Sequence, residues 1–264
     1  MNGFSVRDVV SSAWKNIKGT KWPIWSVLIV LALIAVGLTL VTSLITGSMG
    51  VFMIQGGKIA IGHTFGYVLT AILFEIIAIY LTAPLTAGAQ MVALKKSRGE
   101  SVSAKTGFGF WGKWLSIGST IILFTIGAIL VYLVFTLLAV LTGFGAVWLG
   151  IIFGTLGVIA VVLYYTFCLF NILFVADKGK GPFAALVCSA KAVAPHWFRV
   201  LLIWIYVVLA CVVTILPLFL AMTCPIGWIK AAGAIISFVL VIWLIPYIHL
   251  ILATAYNKLS AQIH

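Results

Sequence analysis

Long apolar runs separated by short polar segments dominate the pattern of this chain. A membrane-spanning helix needs about 20 mainly apolar residues to cross roughly 30 Å of hydrocarbon at about 1.5 Å per residue. Six stretches meet that length: 23–45, 64–82, 115–141, 146–176, 200–221 and 229–255. The fourth is long enough to tilt or to project beyond the bilayer. The pattern therefore predicts an all-α, polytopic integral membrane protein with six transmembrane helices in a single membrane domain over 1–264.

A different period governs the first 21 residues. Val6, Val9, Val10, Ala13, Trp14 and Ile17 fall on one helical face, and Arg7, Asp8, Ser11, Ser12, Lys15 and Lys18 on the other. Ser5 followed by Asp8 fits a helix N-terminus. This spacing predicts an amphipathic interfacial helix lying on an anionic inner leaflet. Similar aromatic and basic segments precede the third span (Phe108, Phe110, Trp111, Lys113, Trp114) and the fifth (Ala184, Ala185, Val187, Cys188, Lys191, Trp197). Ser12-Ala13 before Trp22 echoes Ser189-Ala190 before Trp197. The arrangement reads as three units, each an interfacial helix followed by a transmembrane hairpin. Trp14, Trp22, Trp111, Trp114 and Trp197 are expected as interface anchors.

Composition supports a bilayer environment. Of 264 residues, 64% are hydrophobic and 8% charged, which leaves too little polar surface for a small soluble domain. The net charge of +12 is scattered between apolar runs, a distribution that argues against nucleic acid as a partner. It instead sets orientation. Fourteen Lys and Arg fall in the N-terminal segment, the second and fourth connections and the tail, against Lys58 and Lys230 on the other side. The positive-inside rule then places both termini in the cytoplasm. The run after Trp22 is too long for a cleaved signal and is read as a retained span. Cys168, Cys188, Cys211 and Cys224 show no zinc spacing, and the topology predicts no intramolecular disulfide.

Three motif groups carry a resemblance. The first is Leu81-Thr82-Ala83-Pro84-Leu85-Thr86-Ala87-Gly88 with Arg98-Gly99-Glu100 and Phe108-Gly109-Phe110. The second is Phe174-Val175-Ala176-Asp177 with Pro182-Phe183-Ala184-Ala185-Leu186, Ser189 and Trp197. The third is Pro225-Ile226-Gly227 with Pro246 and Ala255-Tyr256. Together they resemble a large group of uncharacterised six-span bacterial membrane proteins that includes the YciC-type proteins and the membrane domain ahead of some glycerophosphodiester phosphodiesterases. The resemblance implies a helical membrane fold and a bacterial inner-membrane address. It does not carry over the phosphodiesterase activity, because the catalytic domain is not in this chain. Its only acids are Asp8, Glu75, Glu100 and Asp177, too few to supply that chemistry's metal-binding carboxylates.

Glu75 is the residue that calls for explanation, because an ionised acid inside a span costs about 2.5 to 3.5 kcal/mol. One reading is a proton or substrate site; the other is a polar clasp between helices. Counting depth along the even-numbered spans places Asn171 and His249 in the inner half, with Tyr80, Tyr247 and Tyr256 nearby, which predicts an inward-facing polar pocket where Glu75 meets His249, Asn171 or water. A membrane histidine is, however, more commonly hydrogen-bonded on its own. Pro84, Gly88, Pro217 and Pro246 are candidate helix breaks or kinks along a path. Gly62-x-x-x-Gly66 and Gly150-x-x-x-Gly154 allow close helix approach; Gly56-Gly57 reads as an outer loop. No nucleophile elbow, HExxH or paired carboxylates occur, so no catalytic residue, metal or cofactor is expected. Two functions remain open: transport of a small molecule, lipid or protons through the Glu75 pocket, and a non-catalytic envelope scaffold that organises lipids.

Overall fold

In the computed structural model, the described backbone covers residues 5–54 and 61–261, and the side chains of 46–54, 61–65 and 67 are left undescribed. Lys58 and the Gly56-Gly57 loop, together with the surroundings of Gly62 and Thr64, lie outside the described residues. The fold is all-α. Helix α1 (Val6–Lys15) turns into α2 (Lys21–Ile54), which pairs with α3 (Ile61–Ser97). The short α4 (Ala104–Gly107) and a 3₁₀ turn lead to α5 (Trp114–Gly143), which pairs with α6 (Val147–Phe167). After a break comes α7 (Asn171–Lys178). Helix α8 (Pro182–Val193) and a second 3₁₀ turn then lead to α9 (Trp197–Thr223), which pairs with α10 (Gly227–Ser260). Each hairpin is thus preceded by a short helix, in the three-unit plan read from the sequence. Six of the helical segments are long and apolar enough to cross a membrane, and the chain is a multi-pass membrane protein.

Burial divides the molecule into two layers. Toward the end remote from the N-terminus, apolar side chains point outward, as with Leu44 at 75% and Val158 at 65% exposure. Hydrocarbon rather than protein satisfies them. At the opposite end, where Lys and Arg collect and which we call the basic end, a protein core forms. It joins Val9, Ala13 and Ile17 to Ala87, Val92 and Leu94 of α3, to Leu173 and Phe174 of α7, to Ala185 and Val193 of α8, and to Leu250, Ile251 and Tyr256 of α10.

Three features of this layer go beyond the sequence expectations. The second span was expected to end at 82, but α3 continues to Ser97, about 25 Å past Tyr80 at ~1.5 Å per residue. Ala83, Leu85, Ala87 and Ala89 in that extension are fully buried by other helices. Pro84 and Gly88 do not break the helix. Instead, a Cβ on Gly88 would collide with the carbonyl oxygen of Gly107, and one on Gly107 with Val27. These glycines let α4 lie directly on α3.

The fourth span, expected as one helix over 146–176, is interrupted between α6 and α7. Ser189 on α8 repairs the gap, since its hydroxyl donates to the Phe167 carbonyl at 2.8 Å and accepts from the Phe170 amide at 3.1 Å. Both backbone groups are thereby satisfied at a buried site. Ser189→Ala should lower stability by about 1–3 kcal/mol, readable as a fall in the thermal midpoint in detergent.

The N-terminal helix spans Val6–Lys15 and ends well short of residue 21. Much of its apolar stripe is seated on protein, because Val9, Ala13 and Ile17 are buried in the shared core and α1 packs on α10, while Trp14 stays 55% exposed. An amphipathic stripe fits either surface, and the helix adopts the one that the extended α10 provides.

Pro217 and Pro246 lie inside α9 and α10, and neighbouring side chains satisfy backbone groups beside both. Pro246 has no N–H to return to Ile242, and the Trp25 indole N–H donates to that carbonyl at 3.1 Å. Near Pro217, the Leu218 amide donates to Ser237 Oγ at 3.0 Å. A Cβ on Gly233 would overlap Ala221 and the Pro217 carbonyl. Pro217 and Pro246 are therefore packing sites between helices of a hairpin or bundle, not breaks in it.

Candidate functional site: a polar groove beside Glu75

Among the hydroxyls inside the spans, α2 and α3 present several to one another. A groove of about 470 Å³ runs between them, lined by Glu75, Thr39, Thr42, Ser43, Thr82 and Thr86 among apolar residues that include Leu31 and Phe74. Thr82 and Thr86 follow Glu75 at helical spacing, so α3 turns one polar stripe toward the groove. The Thr82 and Thr86 hydroxyls donate to carbonyls one turn back, at 2.7 and 3.1 Å, which leaves their lone pairs as acceptors.

Depth follows from aromatic markers. Tyr80 meets Trp114 edge-on at 5.6 Å between centroids, in the first turn of α5 just after Lys113. Such a pair marks a membrane interface. Glu75 lies about 7.5 Å farther along α3 at ~1.5 Å per residue, within the hydrocarbon of the leaflet on the basic end.

The expected convergence of polar residues does not occur. Glu75 is exposed in its groove, and among the described residues it makes no hydrogen bond or ion pair. The expected partners are occupied elsewhere. His249 uses Nδ1 on the Ile245 carbonyl at 2.9 Å within its own helix. Tyr247 reaches the Val10 carbonyl at 3.3 Å, with its ring edge-on to Trp14. Tyr80 shares a hydrogen bond with Ser119 at 3.1 Å. Asn171 is buried, its Oδ1 accepting from the Ile172 amide at 2.6 Å.

Asn171 does line a second groove of about 390 Å³, which shares Ile79, Thr82 and Thr86 with the first. The two grooves flank α3, and Asn171 approaches the Glu75 stripe only through those threonines. A packed cluster borders the groove on the side of the basic end. Val27, Leu85 and Ala89 form a fully buried cluster with Phe108 packed against it, and this cluster stands between the groove and the basic end. Height separates Glu75 from the expected partners: Arg98, Asp177 and Asn257 meet at one level, from which Glu75 lies roughly 35 Å back along α3, His249 about 12 Å along α10 and Asn171 about 9 Å along α7 at ~1.5 Å per residue.

A second polar constellation went unassigned by role in the sequence. Arg98, just past α3, grips Asp177 at the end of α7 through two bonds of 2.8 Å. The Tyr256 hydroxyl donates to the same carboxylate at 3.0 Å, and Arg98 Nε reaches Asn257 at 3.3 Å. The Asp177 hydrogen bonds, the largest influence, hold the guanidinium above its ordinary pKa. Lys113 meanwhile caps the Ala176 carbonyl at 2.9 Å. This network ties the ends of α3, α7 and α10 together. Arg98, Asp177 and Tyr256 were visible as motif residues, but each pairing with Asp177 spans 79 positions, and no local signal joins them.

Trp14, Trp22, Trp111, Trp114 and Trp197 all remain substantially exposed, as interface anchors require. No group of three or more His, Cys, Asp or Glu side chains suited to a metal occurs among the described residues. Comparison with protein-family models, curated proteins and solved structures finds no match to this chain.

Proposed function

We propose that this chain is a non-enzymatic transport protein of the bacterial inner membrane, with both termini cytoplasmic. It admits an amphiphile sideways from the bilayer into the groove between α2 and α3. The observation that carries this reading is Glu75, an acid at hydrocarbon depth, exposed in a hydroxyl-lined groove and without a partner among the described residues. A carboxylate there gains most from a cationic or hydrogen-donating group, which favours a lipid with an amine-bearing headgroup as cargo. The acceptor oxygens of Thr82 and Thr86 serve the same headgroup, and the apolar walls suit its chains. The address and orientation draw support from the basic bias and the motif resemblance.

The test is lipid movement in proteoliposomes. A fluorescent phosphatidylethanolamine analogue should cross between leaflets faster with the protein than without it, and Glu75→Gln should slow that movement about ten-fold, equivalent to ~1.4 kcal/mol. A wild-type rate equal to that of protein-free vesicles would rule out transport. A scaffold reading has one observation of its own, the sealed protein layer at the basic end, and it predicts that null flux. Orientation is checked separately. In intact cells an impermeant maleimide should label Cys224 but not a cysteine placed at Lys180, and the opposite pattern would invert the topology.

A further inference from the structure

The turn between α1 and α2 builds a second cleft, on a different face from the Glu75 groove and independent of that reading. Gly19 adopts a left-handed conformation, with φ of +80°, which only glycine adopts without strain. The resulting turn sets Lys15, Lys18 and Lys21 around a cleft of about 740 Å³ whose walls are Trp14, Trp22 and Trp243. This volume lies within the usual range of small-molecule sites.

Its chemistry is one-sided. Lys15, Lys18 and Lys21 form no salt bridge among the described residues, and no acidic side chain lines the cleft. A fourth ammonium, that of Lys96, comes within 3.8 Å of where a Cβ on Gly19 would stand. Lys21 rests its Nζ over the Trp243 ring, a cation–π contact that holds one charge against the indole wall. The indoles themselves are 55%, 80% and 45% exposed for Trp14, Trp22 and Trp243. Trp22 opens α2 and Trp243 lies on α10 just before the protein core begins, so the cleft stands where the lipid-facing layer meets that core.

Like charges gathered without a counterion repel one another, and exposed indoles at that level favour the headgroup region. Both features are satisfied together by a phosphate that is attached to an acyl chain. We propose that this cleft is a specific site for an anionic phospholipid of the adjoining leaflet. Its phosphate is held by Lys15, Lys18 and Lys21, and its glycerol and upper chains lie along Trp22 and Trp243. Lysine suits this role, since an ammonium binds phosphate as a mobile point charge. The lipid would also brace α1 against α2 and α10, the three elements that meet at the cleft.

Native mass spectrometry of the full chain released from detergent with defined lipids tests the proposal. Wild type should retain phosphatidylglycerol in preference to phosphatidylcholine. Counting each lysine as one surface charge, the K15Q/K18Q/K21Q variant should weaken that retention on the order of a hundred-fold. The K180Q/K191Q variant removes two basic residues elsewhere and should leave retention unchanged. Trp22→Ala keeps every charge, and should weaken lipid retention while leaving any binding of inorganic phosphate as it was.

Equal loss in the K180Q/K191Q control would mean diffuse attraction to the basic surface and would overturn the site. Displacement of the lipid by millimolar inorganic phosphate would also overturn it, by making the ligand a free anion. Should the triple variant fail to fold, the charge-preserving K15R/K18R/K21R variant together with Trp22→Ala decides the matter. Retention of lipid by the arginine variant and its loss in Trp22→Ala supports the site, and undiminished retention in Trp22→Ala refutes it.

Discussion

Asp177→Asn should lower stability by about 2–3 kcal/mol, seen as a drop in the thermal midpoint of the detergent-solubilised protein. Breaking a buried ion pair typically costs about 3–5 kcal/mol, because the partner charge is left without compensation. Here the carboxylate is 10% exposed and the guanidinium 29%, so water recovers part of that loss. The substitution also weakens the acceptor for Tyr256, and the three helix ends lose their common tie. The decisive comparison is the Arg98→Gln/Asp177→Asn double variant. With the orphaned guanidinium gone, it should be more stable than the sum of the two single changes implies. Strict additivity would show that the pair contributes nothing specific.

Gly88→Val should be at least as damaging, and for a steric reason. Even a methyl at Gly88 overlaps the carbonyl oxygen of Gly107, which is backbone and has no rotamer to escape into. Overpacking of this kind costs roughly 1–3 kcal/mol, and the branched side chain should displace α4 outright. Its removal would uncover the cluster of Val27, Leu85 and Ala89, and with it the basic end of the Glu75 groove. A cysteine placed at Ala89 should then react with a water-soluble thiol reagent much faster than in the parent background. Gly107→Ala provides the contrast. Its added methyl meets a Val27 side-chain carbon instead of backbone, so Gly107→Ala combined with Val27→Ala should restore most of the stability lost by Gly107→Ala alone. Protection of residue 89 in Gly88→Val would show that α4 is not the seal.

The features with a local signature were read correctly from the chain. Six apolar runs, the short helix before each hairpin and the exposed tryptophans are properties of neighbouring residues, and helix formation in hydrocarbon follows from the need to satisfy every backbone polar group within the segment. Glu75 was identified as unusual because any acid within a span is costly wherever its side chain points. His249, Tyr247 and Asn171 do not meet it because they sit much nearer the basic end, where Tyr247 reaches the Val10 carbonyl and Asn171 is buried at the start of α7.

Tertiary structure decided which apolar residues face lipid and which face protein. Leu44 and Leu85 are indistinguishable by hydropathy, yet one is 75% exposed and the other fully buried. For the same reason α3 runs on to Ser97 instead of stopping at the membrane, and the stripe of α1 lies on α10. The break before α7, mended by Ser189, and the joining of Arg98 to Asp177 and Tyr256 depend on residues brought together from distant parts of the chain. The amino-acid order by itself determined a six-span helical membrane protein, because a bilayer reads hydrophobicity along the chain. The grooves, the seal and the lysine cleft were decided only by packing, since they arise from the angles at which those helices meet.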